Sequence, residues 1–152
     1  MAVITRSLGS LAALAGTFAS EDHLRLTAEE RASPHLLART EAGRELRISF
    51  PRDSELNDGD VLAIEEGVAI VVRAAPEALY VIRPTSALNW GVAGFQLGNL
   101  HRPVRFTEDA LLTPADPMVA DIFARLEIAY EERITPFVGK RYGSFVGHHH
   151  DH

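Results

Sequence analysis

The chain has 152 residues, 46% of them apolar and 24% charged, with a formal net charge of −6. This is the composition of an ordinary soluble globular protein. The acidic balance argues against a nucleic-acid binder, which needs clustered basic side chains to neutralise phosphate. No cysteine is present, which removes disulfides, thiolate zinc sites, iron–sulfur clusters and a cysteine nucleophile, and fits a cytoplasmic protein.

No stretch approaches the ~20 consecutive apolar residues of a membrane span. The mildly apolar run Leu8 to Ala19 is interrupted by Gly9, Ser10, Gly16 and Thr17 and preceded only by Arg6, a poor secretory signal. From Leu24 to Ala75 the punctuation is that of short strands. Leu46, Ile48 and Phe50 alternate with Arg47 and Ser49, so one face of that strand is buried. His35 to Thr40 joins it through Glu41-Ala42-Gly43, a hairpin-length loop with glycine available for positive φ. Asn57-Asp58-Gly59-Asp60 is a turn before Val61 to Ile64, and Glu66-Gly67 turns the chain back into Val68 to Val72. Residues 1–75 therefore read as an N-terminal all-β domain made of hairpins. The acidic stretch from Asp53 fails as a calcium loop, because Gly59 falls at its seventh position and Ile64 stands where a bidentate glutamate belongs.

Ala74-Ala75-Pro76-Glu77 breaks the strand pattern, and the domain boundary is placed there. Beyond it, Ala78 to Arg83 is a strand by composition. Thr85 or Ser86 caps a helix with Leu88, Val92 and Phe95 on one face, and Gly98-Asn99 stops it. Val104 to Phe106 and Leu111-Leu112 are short strands, and Asp116-Pro117 starts a second helix carrying Val119, Ile122, Phe123 and Leu126 at helical spacing. Glu131 to Phe137 is the last strand. The order βαββαβ over residues 76–142 predicts a ferredoxin-like domain, and the whole chain is of the α+β class. Residues 143–152 have no periodicity and read as a flexible His-rich tail.

Seven histidines are present, four of them in the last five residues: His148, His149, His150 and His152, with Asp151 between. Neutral imidazole binds nickel, copper, zinc and cobalt, so this cluster is a candidate metal sink, against the alternatives of a solvated polar terminus or a tag fragment. The interrupting aspartate speaks against a tag. His23 and His35 stand among polar neighbours with no partner ligands and read as surface histidines. His101 is single and comes just after the helix stop. By itself it is explained by the helix dipole, and one imidazole cannot hold a divalent ion. A two-fold dimer with that helix end on the axis would supply a second copy, and a tail from Gly143 to His152 could reach roughly 30 Å to add further ligands. No Gly-x-Ser-x-Gly elbow, phosphate loop, His-Glu-x-x-His or dinucleotide glycine pattern occurs, so the chain does not read as an enzyme.

Leu97-Gly98-Asn99-Leu100-His101-Arg102-Pro103 resembles the Leu-Gly-Asn-Arg-His-x-Pro signature of the urease accessory protein UreE family. Asp58 to Ala63, Glu66-Gly67 and Val72 to Glu77 are similar to the end of that family's N-terminal domain and its hinge, and Leu26-Thr27 with Glu30-Arg31 to its start. The resemblance implies a nickel metallochaperone that delivers Ni2+ for assembly of the urease active site. It further implies a homodimer meeting through the C-terminal domains, with one His101 from each protomer on the ion and tail histidines completing or feeding it. The N-terminal domain would engage partners, including the apo-urease complex and the GTPase UreG. Zn2+ or Cu2+ could occupy the same ligands in vitro. The chain departs from the pattern at Gln96 and Leu100, where many members carry histidine and arginine, and at Pro117, where some carry histidine; few ions per dimer are therefore expected. The alternative is a general divalent-metal binding or storage protein acting through its tail alone.

Overall fold

The structure, a computed structural model, describes residues 1–142. The chain divides into two compact units, Met1–Ala75 and Pro76–His152. Together they make an α+β protein, mostly strands, with three helices among the described residues.

The first unit contains, in chain order, β1 (Ala2–Ile4), β2 (Gly9–Ser10), β3 (Ser20–Leu26), α1 (Ala28–Ala32), β4 (His35–Arg39), β5 (Glu45–Ser49), β6 (Asp60–Glu65) and β7 (Val68–Ala74). They form two sheets, of order β1-β5-β4 and β2-β6-β7-β3. The β4–β5 and β6–β7 pairs are the expected hairpins. Glu66 and Gly67 both hold positive φ, at 50° and 79°, the signature of the two-residue turn whose twist matches its strands. Alternation works as the residues dictate: Leu46 and Ile48 are buried while Glu45 and Arg47, which alternate with them, are exposed.

Two features correct the picture of an all-β unit built from hairpins. First, β1 pairs with β5 and β3 with β7 in parallel, so each sheet closes through strands remote in sequence. Second, α1 is a helix. Its cap is reciprocal: Glu30 N donates to Thr27 Oγ1 at 3.2 Å and Thr27 N to Glu30 Oε1 at 2.9 Å, satisfying two donors that the first turn would otherwise orphan. The run Leu8 to Ala19 belongs to this unit, where Leu11, Leu14 and Phe18 pack against Val61, Ala69 and Val71. Leu24, Leu26, Leu46, Ile48, Leu62, Ile70 and Val72 from both sheets share the main core.

Asp22 of β3 ties one sheet to the loop of the other. Its carboxylate accepts hydrogen bonds from Thr40 Oγ1 (2.5 Å), Ala42 N (3.0 Å) and Arg44 Nη1 (2.6 Å), and its side chain is 3% exposed. Burial pushes the carboxyl up, but the hydrogen bonds from Thr40, Arg44 and Ala42 outweigh it and hold it below the usual carboxylate range.

The second unit contains β8 (Pro76–Ile82), α2 (Ala87–Asn99), β9 (Arg105–Phe106), β10 (Leu111–Pro114), α3 (Pro117–Arg125) and β11 (Tyr130–Pro136). The strand order is β11-β8-β10-β9, with every neighbour antiparallel. Pro76 does not interrupt a strand here but begins one, facing Pro136 at the end of the ladder, a position where its missing N–H costs little. Asp116 caps α3 by accepting from Met118 N at 2.8 Å, ahead of Pro117. Tyr80, Ile82 and Leu111 of the sheet share a core with Ala93 and Leu97 of α2 and Val119 and Phe123 of α3. Among the described residues no helix is long and apolar enough to cross a membrane.

The Asp22 arrangement yields a pH prediction. A carboxyl with a depressed folded pKa contributes stability that is present in full above its unfolded value of about 3.9 and is lost as pH falls through the lower folded value. Asp22→Asn should therefore cost about 2 kcal/mol near neutral pH, because it leaves donors facing an amide. Urea unfolding at pH 7 and pH 3 should show the gap between parent and variant narrowing at the lower pH.

Candidate metal centre

The only histidine of the second unit within the described residues is His101, and its setting starts in α2. Ser86 caps that helix, its hydroxyl accepting from Asn89 N at 3.1 Å. Gly98 and Asn99, expected to end the helix, lie inside it, and Leu100 is the C-cap. The left-handed residue that closes the helix is His101, with φ of 55°. Two bonds reach back across it: His101 N donates to Gly98 O at 3.0 Å and Arg102 N to Leu97 O at 2.9 Å. This paired closure usually places glycine at the left-handed position. Histidine tolerates that region better than most side chains, yet still at a cost near 1 kcal/mol relative to glycine. The helix continues past Gly98-Asn99 because Leu97 and Leu100 both reach the core, a tertiary demand that overrides the local preference of Gly98 and Asn99 for a stop.

Residues 102–104 are strapped down. Pro103 and Val104 are buried. Pro103 O accepts from Thr113 Oγ1 at 2.9 Å, and Val104 exchanges backbone bonds of 2.8 and 3.0 Å with Lys140. The Arg102 side chain donates to Pro114 O at 2.7 Å and faces Asp116 at 3.6 Å. His101 itself is exposed. An exposed imidazole thus stands on a fixed backbone and offers nitrogen to a cation from outside.

That single imidazole is one ligand, not a site. Among the described residues no group of three or more histidines, aspartates and glutamates is close enough to hold a metal ion. His23 and His35 belong to the first unit and have partners of their own: His23 Nε2 lies 2.9 Å from Glu21 Oε1, and His35 Nδ1 lies 3.3 Å from Ser49 Oγ. His148, His149, His150, Asp151 and His152 lie outside the described residues.

The face of α2 read from the sequence as its apolar side is real but is not the core face. Ala93 and Leu97 are buried, with Trp90 and Leu100 packed beside them, whereas Leu88 is 75% and Phe95 69% exposed. The helix is apolar on two sides, and periodicity could not choose between them. Gly91 and Gly98 leave the same outer side low: a Cβ built on either meets nothing within 4 Å.

Sequence comparison matches the description "UreE urease accessory protein, N-terminal domain" over residues 4–75 and "UreE urease accessory protein, C-terminal domain" over residues 77–152. The chain belongs to the UreE family. It is 34% identical over 129 residues to the urease accessory protein UreE of Burkholderia lata, a match covering 85% of this chain and 62% of that protein. It is 35% identical over 129 residues to those of Paraburkholderia xenovorans and Burkholderia thailandensis, again over 85% of this chain and over 57% and 61% of theirs. It therefore spans about three-fifths of the length of the curated relatives it matches. UreE proteins are accessory proteins and not enzymes.

If the left-handed backbone at residue 101 is tolerated for the sake of the imidazole, stability and side chain should part company. His101→Gly is expected to raise unfolding stability by about 1 kcal/mol, while His101→Ala keeps the strain and gains nothing. Denaturant midpoints of the three chains measure the difference.

Proposed function

We propose that this UreE family member is a nickel metallochaperone that binds Ni2+ across a dimer interface and hands it on for assembly of the urease active site. The observation that carries the reading is the exposed His101 on a rigid left-handed corner, at the end of a helix whose outer apolar face has no partner within the described residues. The chemistry of the ligand fits the cargo, since neutral imidazole nitrogen suits nickel. Copper would bind the same nitrogens more tightly by the usual affinity order and zinc would also compete, so nickel selection rests on supply and on partners.

Dimerisation supplies the missing ligand. Leu88 and Phe95 present apolar area, and Gly91 and Gly98 allow a second helix to approach closely. In an isologous dimer built on α2 each protomer contributes its own His101 to one shared ion, and His148, His149, His150 and His152 add to the coordination sphere. The second unit (76–142) is accordingly the metal-binding and dimerisation domain. Its ferredoxin-like character is supported by the strand order β11-β8-β10-β9 with two helices on one core. The first unit (1–75) is the part that engages the apo-urease complex and the GTPase UreG, in the cytoplasm. Gln96 and Leu100 add no further ligand around His101, which favours few ions per dimer.

Calorimetric titration with nickel should register a tight event of about one ion per dimer, lost in His101→Ala. An unchanged first equivalent in that variant would remove His101 from the site. Replacing the four tail histidines by serine separates this reading from metal storage by the tail: a carrier keeps the interface ion at lower affinity, whereas a store loses nearly all binding. Sedimentation of Phe95→Asp, which puts a charge in the middle of the apolar face, should shift the chain from dimer to monomer.

A further inference from the structure

Arg102 occupies the variable position of the signature, and nothing in the sequence pattern assigns it a task. In the structure it does two things with one residue. Its backbone N–H closes α2 by donating to Leu97 O at 2.9 Å, across the left-handed His101. Its guanidinium meanwhile donates to Pro114 O at 2.7 Å, at the end of β10, and lies 3.6 Å from Asp116 Oδ2. The other oxygen of Asp116 accepts from Met118 N at 2.8 Å and caps α3. One carboxylate is thus divided between the start of α3 and the arginine next to the imidazole.

We infer that Arg102 is the positioning residue for His101: its guanidinium, held by Pro114 and Asp116, fixes the backbone that keeps the imidazole on its left-handed corner. A histidine leaves that region readily when the chain is free, because ordinary φ values are lower in energy. The closure at Arg102 N holds only while residue 102 stays against the helix end. Arg102 is three-quarters buried by its side chain and tied at two points, and so anchors residue 102 from the far side. A planar guanidinium suits this double attachment, since it presents donors in fixed directions. Removing it frees residues 101 and 102 to turn together, and the imidazole moves off the position from which it meets its counterpart. Groups that orient a ligand without touching the ion commonly set metal affinity by 10–100-fold.

This inference rests on His101 being a nickel ligand, and the experiment separates the two. Full-length chains with the four tail histidines changed to serine are titrated with nickel sulfate, and their His101 backbone and imidazole resonances are recorded. Arg102→Ala is expected to lower nickel affinity about 10-fold and to move the His101 backbone shifts out of the left-handed range. Arg102→Lys should restore part of both, because an ammonium can still reach Pro114 O and Asp116. Affinity and His101 shifts unchanged in Arg102→Ala, beside loss of binding in His101→Ala, would overturn the positioning role alone. Unchanged binding in His101→Ala would instead overturn the ligand assignment beneath it. If Arg102→Ala does not fold, Arg102→Met and Arg102→Lys decide: methionine keeps the stem but loses the anchor, so equal affinities in the two would overturn the inference.

Discussion

A side chain other than glycine at the left-handed residue that closes α2 persists only because its neighbours hold it there. His101 is flanked by the two backbone bonds to Gly98 O and Leu97 O, and behind them stand the Thr113–Pro103 bond and the Val104–Lys140 bridge. The strain is small beside these contacts, but it has a direction. It turns the chain sharply at the helix end and leaves one imidazole outside the core while Pro103 and Val104, the next residues but one and two, are buried. The second unit holds a single exposed imidazole at a defined place, and among the described residues no cluster of three or more potential metal ligands forms.

The helix leading to that corner has two apolar faces with different fates. Ala93 and Leu97 complete the core that α3 and the sheet share, and burying side chains of that size supplies on the order of 1–3 kcal/mol each. Leu88 and Phe95 contribute nothing to that core. A pair of large apolar side chains left in water on a helix that also carries glycines at positions 91 and 98 is what a helix–helix interface requires. In the proposed dimer, a second copy of the chain would meet both the solitary imidazole and the exposed face.

Much of this was legible in the sequence, for definite reasons. Period-two alternation located β5, turn glycines located the β4–β5 and β6–β7 hairpins, and Asp116-Pro117 located the start of α3. Alternation states which face of a strand is buried but not which strand lies beside it, so the parallel pairings of β1 with β5 and β3 with β7 were invisible. The short helix α1 carried its signal in Thr27 and Glu30, three residues apart, yet five residues are too few to show a helical period. At the candidate site the sequence picked out His101 but not its backbone. Gly98 and Asn99 are the residues that favour a left-handed stop, and both stayed helical because Leu97 and Leu100 were needed in the core. Arg102 gave no sign at all, since its role depends on Pro114 and Asp116 being brought to it by the fold.

The strand ladders bear on how the protein is made. Every pairing among the described residues joins strands of the same unit: β1 to β7 among themselves and β8 to β11 among themselves. Only Ala75 stands between the last strand of one set and the first of the other. Synthesis through residue 75 therefore supplies every strand partner that the first two sheets use among the described residues, before α2 has been translated. Among the described residues no edge of the first two sheets pairs with a strand encoded downstream, which shortens the interval in which a nascent edge could capture the wrong chain.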